Sequence, residues 1–351
     1  MAPKEQKALV IPSKGADFVV QSVAVPSPGP GEILARVDAT ALNPVDWKIK
    51  DLYQDWIQYP GILGFDAAGV VEEVGEGVTN VKKGDKILWE GELTPSHRAT
   101  YQQYAIVPAE FAARIPDNVS LDEAASIPTS LATAYLGLYN KKSDVRGGGA
   151  ELTPFWQSST AYAGQPFVLL GGATSVGQSV IQLARLSGFS PIIVTASEKH
   201  TDHLKSLGAT HVLPRSLSTE ALRAEIGKIT SQPIKIVYDT VSHADTQETG
   251  YSLLASGGQL ILVLPPAEGI VHGKDGKELV GVAGNVNWPG QQDAGRELYA
   301  RVTQLLQDGS IKPNHVQVLP KGLAGISDGL ELLRQDKVSG VKLIAHPQEA
   351  A

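Results

Sequence analysis

The sequence predicts an α/β protein in two parts, a β-rich, barrel-like part and a doubly wound parallel sheet covered by helices on both faces. Three observations carry this. Residues before about 127 read as strands broken by turns, residues 167–264 alternate strand with helix, and a glycine-rich turn joins an apolar run to an amphipathic helix at 166–187. A chain of 351 residues suits two domains rather than one small core.

In the first part, 7–11, 19–25 and 32–42 are strand-like, and Pro26-Ser-Pro-Gly-Pro-Gly31 separates the last two. Further β-branched or apolar runs at 69–74, 86–89 and 101–107 complete an antiparallel pattern with few helices. The period then changes, and apolar residues at helical spacing over 121–139 predict one helix. Residues 140–163 carry no periodicity and three consecutive glycines, so they read as a surface insertion, free to move, with Phe155 and Trp156 packing onto a neighbour. Beyond them, strands are predicted at 167–170, 191–195, 211–213, 234–239 and 259–264, and helices at 175–187, 199–207, 219–230 and 245–254. Gly188 and Gly208 stand where helix C-caps want glycine. Helices at 290–308 and 325–335 and strands at 316–319 and 340–345 close the chain.

Composition excludes several functions. The net charge of −7 argues against a nucleic-acid binder. With no cysteine there is no disulfide, thiolate zinc site or cysteine nucleophile. The N-terminus lacks a signal peptide's apolar core and no apolar run reaches membrane-spanning length, so a cytoplasmic protein that binds no membrane is expected.

The glycine turn, Gly171-Gly-Ala-Thr-Ser-Val-Gly177, is an imperfect dinucleotide fingerprint, because Thr174 replaces its middle glycine. Gly171, Gly172 and Gly177 would let the backbone approach a pyrophosphate, with Thr174, Ser175 and Val176 adding amides and hydroxyls at the helix start. Tight strand-to-helix packing alone would also use these glycines. At the end of the second predicted strand, Ser197, Lys199 and His200 suit the 2′-phosphate of NADPH. Glu198 is discordant, an NAD-type acid displaced by one position.

In this order the chain resembles the medium-chain dehydrogenase/reductases over nearly its whole length. Five blocks carry the resemblance: Ala41-Leu-Asn-Pro-Val-Asp-Trp-Lys48; Gly64-Phe-Asp-Ala-Ala-Gly-Val-Val71 with Gly84-Asp85; Ala125-Ser-Ile-Pro-Thr-Ser-Leu-Ala-Thr-Ala-Tyr135; the 171–177 turn; and Val338-Ser-Gly-Val-Lys-Leu343. Within that family it is most similar to the zinc-free quinone and enoyl reductases, above all the trans-acting enoyl reductases that serve polyketide synthases. The resemblance implies a GroES-like catalytic domain over 1–127, a Rossmann NADPH-binding domain over 128–312, and a return to the catalytic domain over 313–351.

Zinc-using members carry cysteine, histidine and a carboxylate at the positions of Asp46, Phe65 and Asp66, so no metal is expected. The close histidine pair, His200 and His203, reads as surface or phosphate-side rather than ligating. The resemblance places the nicotinamide beside Asn43, Pro44, Lys48 and Thr133, and Lys342 near the cofactor phosphates. Lys48 and Thr133 are thus candidate catalytic residues, each with a bland alternative, a solvated lysine and a helix-packing threonine. Tyr53 is a candidate proton donor, the alternative being a rim aromatic beside Trp56 and Tyr59. Trp89, Tyr101 and Trp288 would line an aromatic pocket formed by loops 89–100 and 265–290, or else pack in the core.

The implied reaction is hydride transfer from NADPH to an activated alkene, an enone or an acyl (enoyl) thioester, without zinc. Two rivals stay open: an NADPH quinone reductase, and a non-catalytic NADPH-binding partner of a synthase. Monomer and homodimer are both compatible with the resemblance.

Overall fold

A computed structural model describes residues 2–143 and 146–349. The N-terminal part supplies β1 (Glu5–Ile11), β2 (Val19–Ala24), β3 (Glu32–Ala41), β4 (Gly61–Ile62), β5 (Asp66–Val74), β6 (Lys86–Glu90), β7 (Tyr104–Pro108) and β8 (Ala112–Arg114). Strands β2-β1-β4 make a small antiparallel sheet, tied to the larger one where Leu9 N donates to Tyr101 O. A helix, α1 (Pro44–Leu52), follows β3, where the sequence reading placed no helix. Asn43 is its N-cap and Pro44 its first residue, a start signal that weak amphipathicity downstream left unsupported.

The predicted 121–139 helix is two, α2 (Leu121–Ala125) and α3 (Pro128–Tyr139). Pro128 has no N–H to give Ala124, so the ladder breaks and restarts with proline at the first position of α3. The glycine turn then joins β9 (Phe167–Leu170) to α4 (Ser175–Leu186). The alternation continues through β10 (Ile192–Ala196), α5 (Thr201–Leu207), β11 (His211–Pro214), α6 (Thr219–Ile229), β12 (Ile236–Asp239), α7 (Ala244–Leu253) and β13 (Gln259–Leu262). A sixth strand, β14 (Glu278–Gly281), was hidden in the 265–290 stretch because it is only four residues long.

These six strands form one sheet in the order β11-β10-β9-β12-β13-β14, every neighbouring pair parallel. This is the doubly wound order, in which the strand order reverses between β9 and β12. Both faces are covered, which explains why β9 is apolar at every position. Phe167 and Leu169 pack with α3, α4 and α8 (Gln292–Gln307), while Val168 and Leu170 pack with α6 and α7.

The chain ends return to the first sheet. After β15 (Val316–Val318) and α9 (Gly322–Arg334), β16 (Lys342–Ala345) pairs parallel with β15 and antiparallel with β3. The result is the order β15-β16-β3-β5-β6-β8, with β7 also paired to β3.

The 140–163 insertion, whose residues 144 and 145 lie outside the described ones, has almost no regular structure yet is bonded along its length. Ala150 N donates to Gly137 O and Leu152 N to Leu138 O on α3. Trp156 stacks on Tyr135 at 5.5 Å, Phe155 meets Tyr139, and Arg301 lies 4.3 Å over the Trp156 ring. The predicted packing of Phe155 and Trp156 is therefore an aromatic cluster against α3 and α8. Trp156→Ala should lower the unfolding free energy by about 2 kcal/mol in a urea titration, through lost aromatic and cation–π contact.

Candidate active site and cofactor cleft

The site grows from one buried carboxylate. Asp66 begins β5 and is fully buried. Its Oδ1 accepts from Thr129 N in the first turn of α3 at 2.6 Å, and its Oδ2 accepts from Asn43 Nδ2 at 2.8 Å and lies 2.8 Å from Lys342 Nζ. Lys342, 4% exposed at the start of β16, also donates to Asn43 Oδ1. Segments some 300 residues apart thus meet on one ion pair, with the amide end of a helix aimed at the carboxylate. The resemblance put Lys342 near the cofactor phosphates; the structure instead engages its ammonium with Asp66 and Asn43.

Asp46 serves local structure. Its Oδ2 accepts from Asn43 N at 2.7 Å and from Tyr101 Oη at 2.6 Å, fixing the first turn of α1. Complete burial pushes its pKa up to about 7. Glu90, at the end of β6, is buried as well and its carboxyl is pushed well up by desolvation. It accepts from Val286 N, while Asn285 Nδ2 donates to Gly91 O and Asn287 Nδ2 to Glu90 O. These bonds join the barrel to the chain following β14 and form the floor between the two sheets.

This arrangement is a poor fit to a zinc ion. At the three ligand positions of zinc-using relatives stand a carboxylate bonded to Tyr101 and Asn43, an apolar Phe65, and a carboxylate facing a lysine ammonium. Lys342 supplies the positive charge that Asp66 needs, and no imidazole or thiolate is beside it. Among the described residues no group of three or more histidine, cysteine, aspartate or glutamate side chains is placed to hold a metal.

At the glycine turn, Gly171 has φ +86°, and a Cβ there would meet Thr240 Oγ1 and Val241 at 2.7 Å. A Cβ on Gly177 would lie 2.3 Å from Gly171 O, and one on Gly172 3.1 Å from Val194. Thr174 is the N-cap of α4, its Oγ1 accepting from Gly177 N at 2.9 Å and donating to Thr240 Oγ1. Its hydroxyl is thereby engaged within the protein, which corrects the idea that it reaches a phosphate. Ser175 N and Val176 N, the first two helical amides, are the ones without intrahelical partners and suit an anion. The threonine that spoils the glycine fingerprint is a helix cap.

Ser197, half-buried, follows β10 and precedes a 3₁₀ turn, Glu198–His200. Lys199 is exposed, and His200 Nε2 lies 2.9 Å from Ser339 Oγ. Burial and the charges of Lys199, Arg215 and His315 lower the His200 pKa. Arg215, just beyond β11, thus joins this group although nothing in its own sequence surroundings marks it. His203 bonds Gln178 Oε1 and its ring lies 4.2 Å from that of His315. His200 and His203, close in sequence, thus have different hydrogen-bond partners.

The cleft residues are brought together in part. Thr133 on α3 is nearly buried, donates to Thr129 O, and touches the backbone at Gly284, where a Cβ would come within 1.9 Å of its Oγ1. Pro44 is exposed at the first turn of α1. Lys48, half-buried on α1, has its pKa lowered by burial and by the charge of Arg146, which belongs to the opposite domain. Tyr53 caps α1 and its ring stacks on Trp56 at 4.6 Å, the rim placement. Trp89 and Tyr101 are fully buried core residues, so they line no pocket, whereas Trp288 is 43% exposed.

Two stretches match known families: residues 29–117 the Alcohol dehydrogenase GroES-like domain, and residues 175–274 the Zinc-binding dehydrogenase. The chain is 30% identical to a trans-enoyl reductase, grgB, of Penicillium sp over 97% of this chain and 98% of that one. It is 32% identical to the trans-enoyl reductase himH of Aspergillus japonicus over 89% of each. The crystal structure of the apo JamJ enoyl reductase superposes with a TM-score of 0.74, at 20% identity, over 97% of this chain and 99% of that one. The chain belongs to the medium-chain dehydrogenase/reductases, with a GroES-like and a Rossmann domain, and to the trans-enoyl reductases among them. Oxidoreductases of this kind use a nicotinamide cofactor. No helix of the described residues is long and apolar enough to cross a membrane.

Breaking the buried pair from one side is predicted to be worse than breaking it from both. Lys342→Met should lower the unfolding free energy by about 3–5 kcal/mol, and adding Asp66→Asn should restore part of it, measured by urea denaturation of the four members of the cycle.

Proposed function

We propose that the chain is an NADPH-dependent reductase of α,β-unsaturated thioesters that works without zinc, acting on substrates carried by a polyketide-type synthase. The observation that carries the zinc-free part is the Lys342 ammonium beside Asp66, where zinc-using relatives bind a metal. The cations Lys199 and Arg215, just beyond β10 and β11, with the His200 ring beside them, support NADPH over NADH. Glu198 is exposed and falls outside the ion pairs found among the described residues. The comparisons with trans-enoyl reductases support the substrate class.

The bound nicotinamide would supply hydride to the β-carbon of the conjugated alkene, and negative charge would then build on the thioester oxygen. The chain's part is to hold and polarise. Ser175 N and Val176 N at the start of α4 suit the pyrophosphate, and Gly171, Gly172 and Gly177 permit its approach. Asn43, Pro44 and Thr133 form the wall on which the nicotinamide and ribose would rest. Lys48 would be the donor to the thioester oxygen, and its lowered pKa would make it a better proton donor as charge develops there. The Tyr53 hydroxyl, at the rim, is the candidate source of the proton for the α-carbon.

In stopped-flow work, NADPH should be oxidised rapidly with crotonyl thioesters and slowly with simple quinones. Turnover of quinones alone, or tight NADPH binding with no turnover of any acceptor, would refute the proposal. Lys199→Ala should raise the Kd of NADPH about tenfold or more and leave that of NADH nearly unchanged, read by fluorescence titration.

A further inference from the structure

Resting on that reading of the cofactor cleft, we propose that Thr240, just beyond β12, is the positioning residue of the pyrophosphate cradle. Its hydroxyl ties the glycine turn and the start of α4 to the other half of the parallel sheet. Thr240 is 8% exposed, and its N donates to Leu170 O at 3.0 Å, which seats it beside the end of β9. Its Oγ1 accepts from Thr174 Oγ1 at 2.9 Å and lies 2.9 Å from Leu170 O and 3.0 Å from Gly171 O. A hydroxyl has one proton to give, so Thr240 shares it between the two carbonyls and can only accept from Thr174. The Thr174 oxygen, its own proton given to Thr240, accepts from Gly177 N at 2.9 Å. The bonds thus run in one direction, from Gly177 N through Thr174 and Thr240 to the end of β9, and each strengthens the next.

Gly171 is held from both neighbouring strands by this frame. Its N donates to Thr195 Oγ1 on β10 at 3.2 Å, and its O accepts from Thr240 Oγ1 and from Thr174 N, each at 3.0 Å. The space a Cβ on Gly171 would need is filled by Thr240 Oγ1 and by the side chain of Val241, each 2.7 Å away, so the glycine and the threonine are matched. Thr240 is itself fixed by the residues around it. Asp239, with no exposure, accepts at Oδ1 from Val241 N at 3.0 Å and from Ser242 N at 2.8 Å. Ser242 Oγ donates to Asp239 O and accepts from Val263 N, which closes the turn against β13.

The strand that leads to Thr240 also reaches the wall proposed for the nicotinamide. Two residues earlier, Tyr238 Oη donates to Thr133 O on α3 at 2.9 Å. One strand thus bonds α3, where the nicotinamide would rest, and the turn, where the pyrophosphate would. Ser175 N and Val176 N point in a fixed direction only while the turn before them is fixed. Thr240 is the residue outside the β9–α4 unit that bonds both that turn and the helix cap. Without its hydroxyl, Thr174 loses its acceptor and the turn can shift against β12, and donors displaced from an anion bind it less well. The effect falls on the pyrophosphate that NADPH and NADH share. In the proposed reading Lys199 and Arg215 serve instead the 2′-phosphate that NADPH alone carries.

The test is calorimetric titration of the full chain and of Thr240→Ser, Thr240→Cys and Thr240→Val with NADPH, NADH and adenosine 2′-monophosphate. The last carries the 2′-phosphate but no pyrophosphate. Thr240→Val should raise the Kd of NADPH and of NADH by the same factor, about tenfold, and leave that of adenosine 2′-monophosphate unchanged. Thr240→Ser keeps the donor and should bind both dinucleotides nearly as the wild type does. Thr240→Cys, whose thiol is a weak donor, should fall between, and it carries the test if the valine variant does not fold. Unchanged dinucleotide Kd values in the cysteine and valine variants, or no recovery in Thr240→Ser, would overturn the inference. So would an equal loss for adenosine 2′-monophosphate, the mark of a general loosening. Tight NADPH binding that depends on the Thr240 hydroxyl, with no turnover of a crotonyl thioester, would retain the positioning role and sink the proposed reaction. Thioester turnover with dinucleotide binding indifferent to Thr240 would do the reverse.

Discussion

The buried ion pair of Asp66 and Lys342 is the interaction on which the rest of the site depends. A carboxylate with no exposure is tolerable only with several donors around it, and Asp66 has an ammonium, an amide side chain and the first turn of α3. Each donor belongs to a different segment. Asn43 precedes α1 and therefore aims Lys48. Thr129 lies one turn before Thr133, and Thr133 O accepts from Tyr238 Oη on β12 of the parallel sheet. Lys342 brings in the last strand of the chain. The two domains and both ends of the sequence are thus held in register around one charge.

At the other side of the cleft the control is steric. Gly171, Gly172 and Gly177 keep the turn so close that any added Cβ would meet neighbouring atoms, and Thr174 fixes the start of α4 by capping it. The helix presents its first amides in a fixed direction, toward the crevice where the strand order reverses. A rigid cradle thus stands on one wall and a charge-balanced cluster on the other. The aromatic cluster against α3 and α8, and the bond from Gly147 N to Gly281 O, hold the 140–163 insertion in place.

Much of this was legible in the sequence where the signal is local. The β9-turn-α4 unit reads directly because an apolar run, a glycine cluster and an amphipathic helix follow without a gap, and β9 was bounded as predicted. The split at Pro128 and the short β14 were not, since periodicity averages across a single missing N–H and fails on four residues. The pairing of Asp66 with Lys342 and Asn43 is invisible to spacing because it is made by topology. For the same reason the sequence left two readings open for Trp89 and Tyr101, which the fold resolves as core packing, and it did not foresee the partners of Lys342 and Thr174. Arg146 carried no signal at all: it stands in a glycine-flanked stretch without periodicity, and only the fold brings it to the carbonyls of Val263 and Val282.

The central claim is that a lysine ammonium beside Asp66 replaces a metal in the catalytic cleft. Measuring NADPH-dependent turnover of a crotonyl thioester alongside zinc content, before and after exhaustive chelation, tests it most directly. The account predicts full activity in chain holding far less than one equivalent of zinc, unchanged by chelator or by added zinc. Activity that falls with removal of the metal and returns in proportion to zinc bound would contradict it.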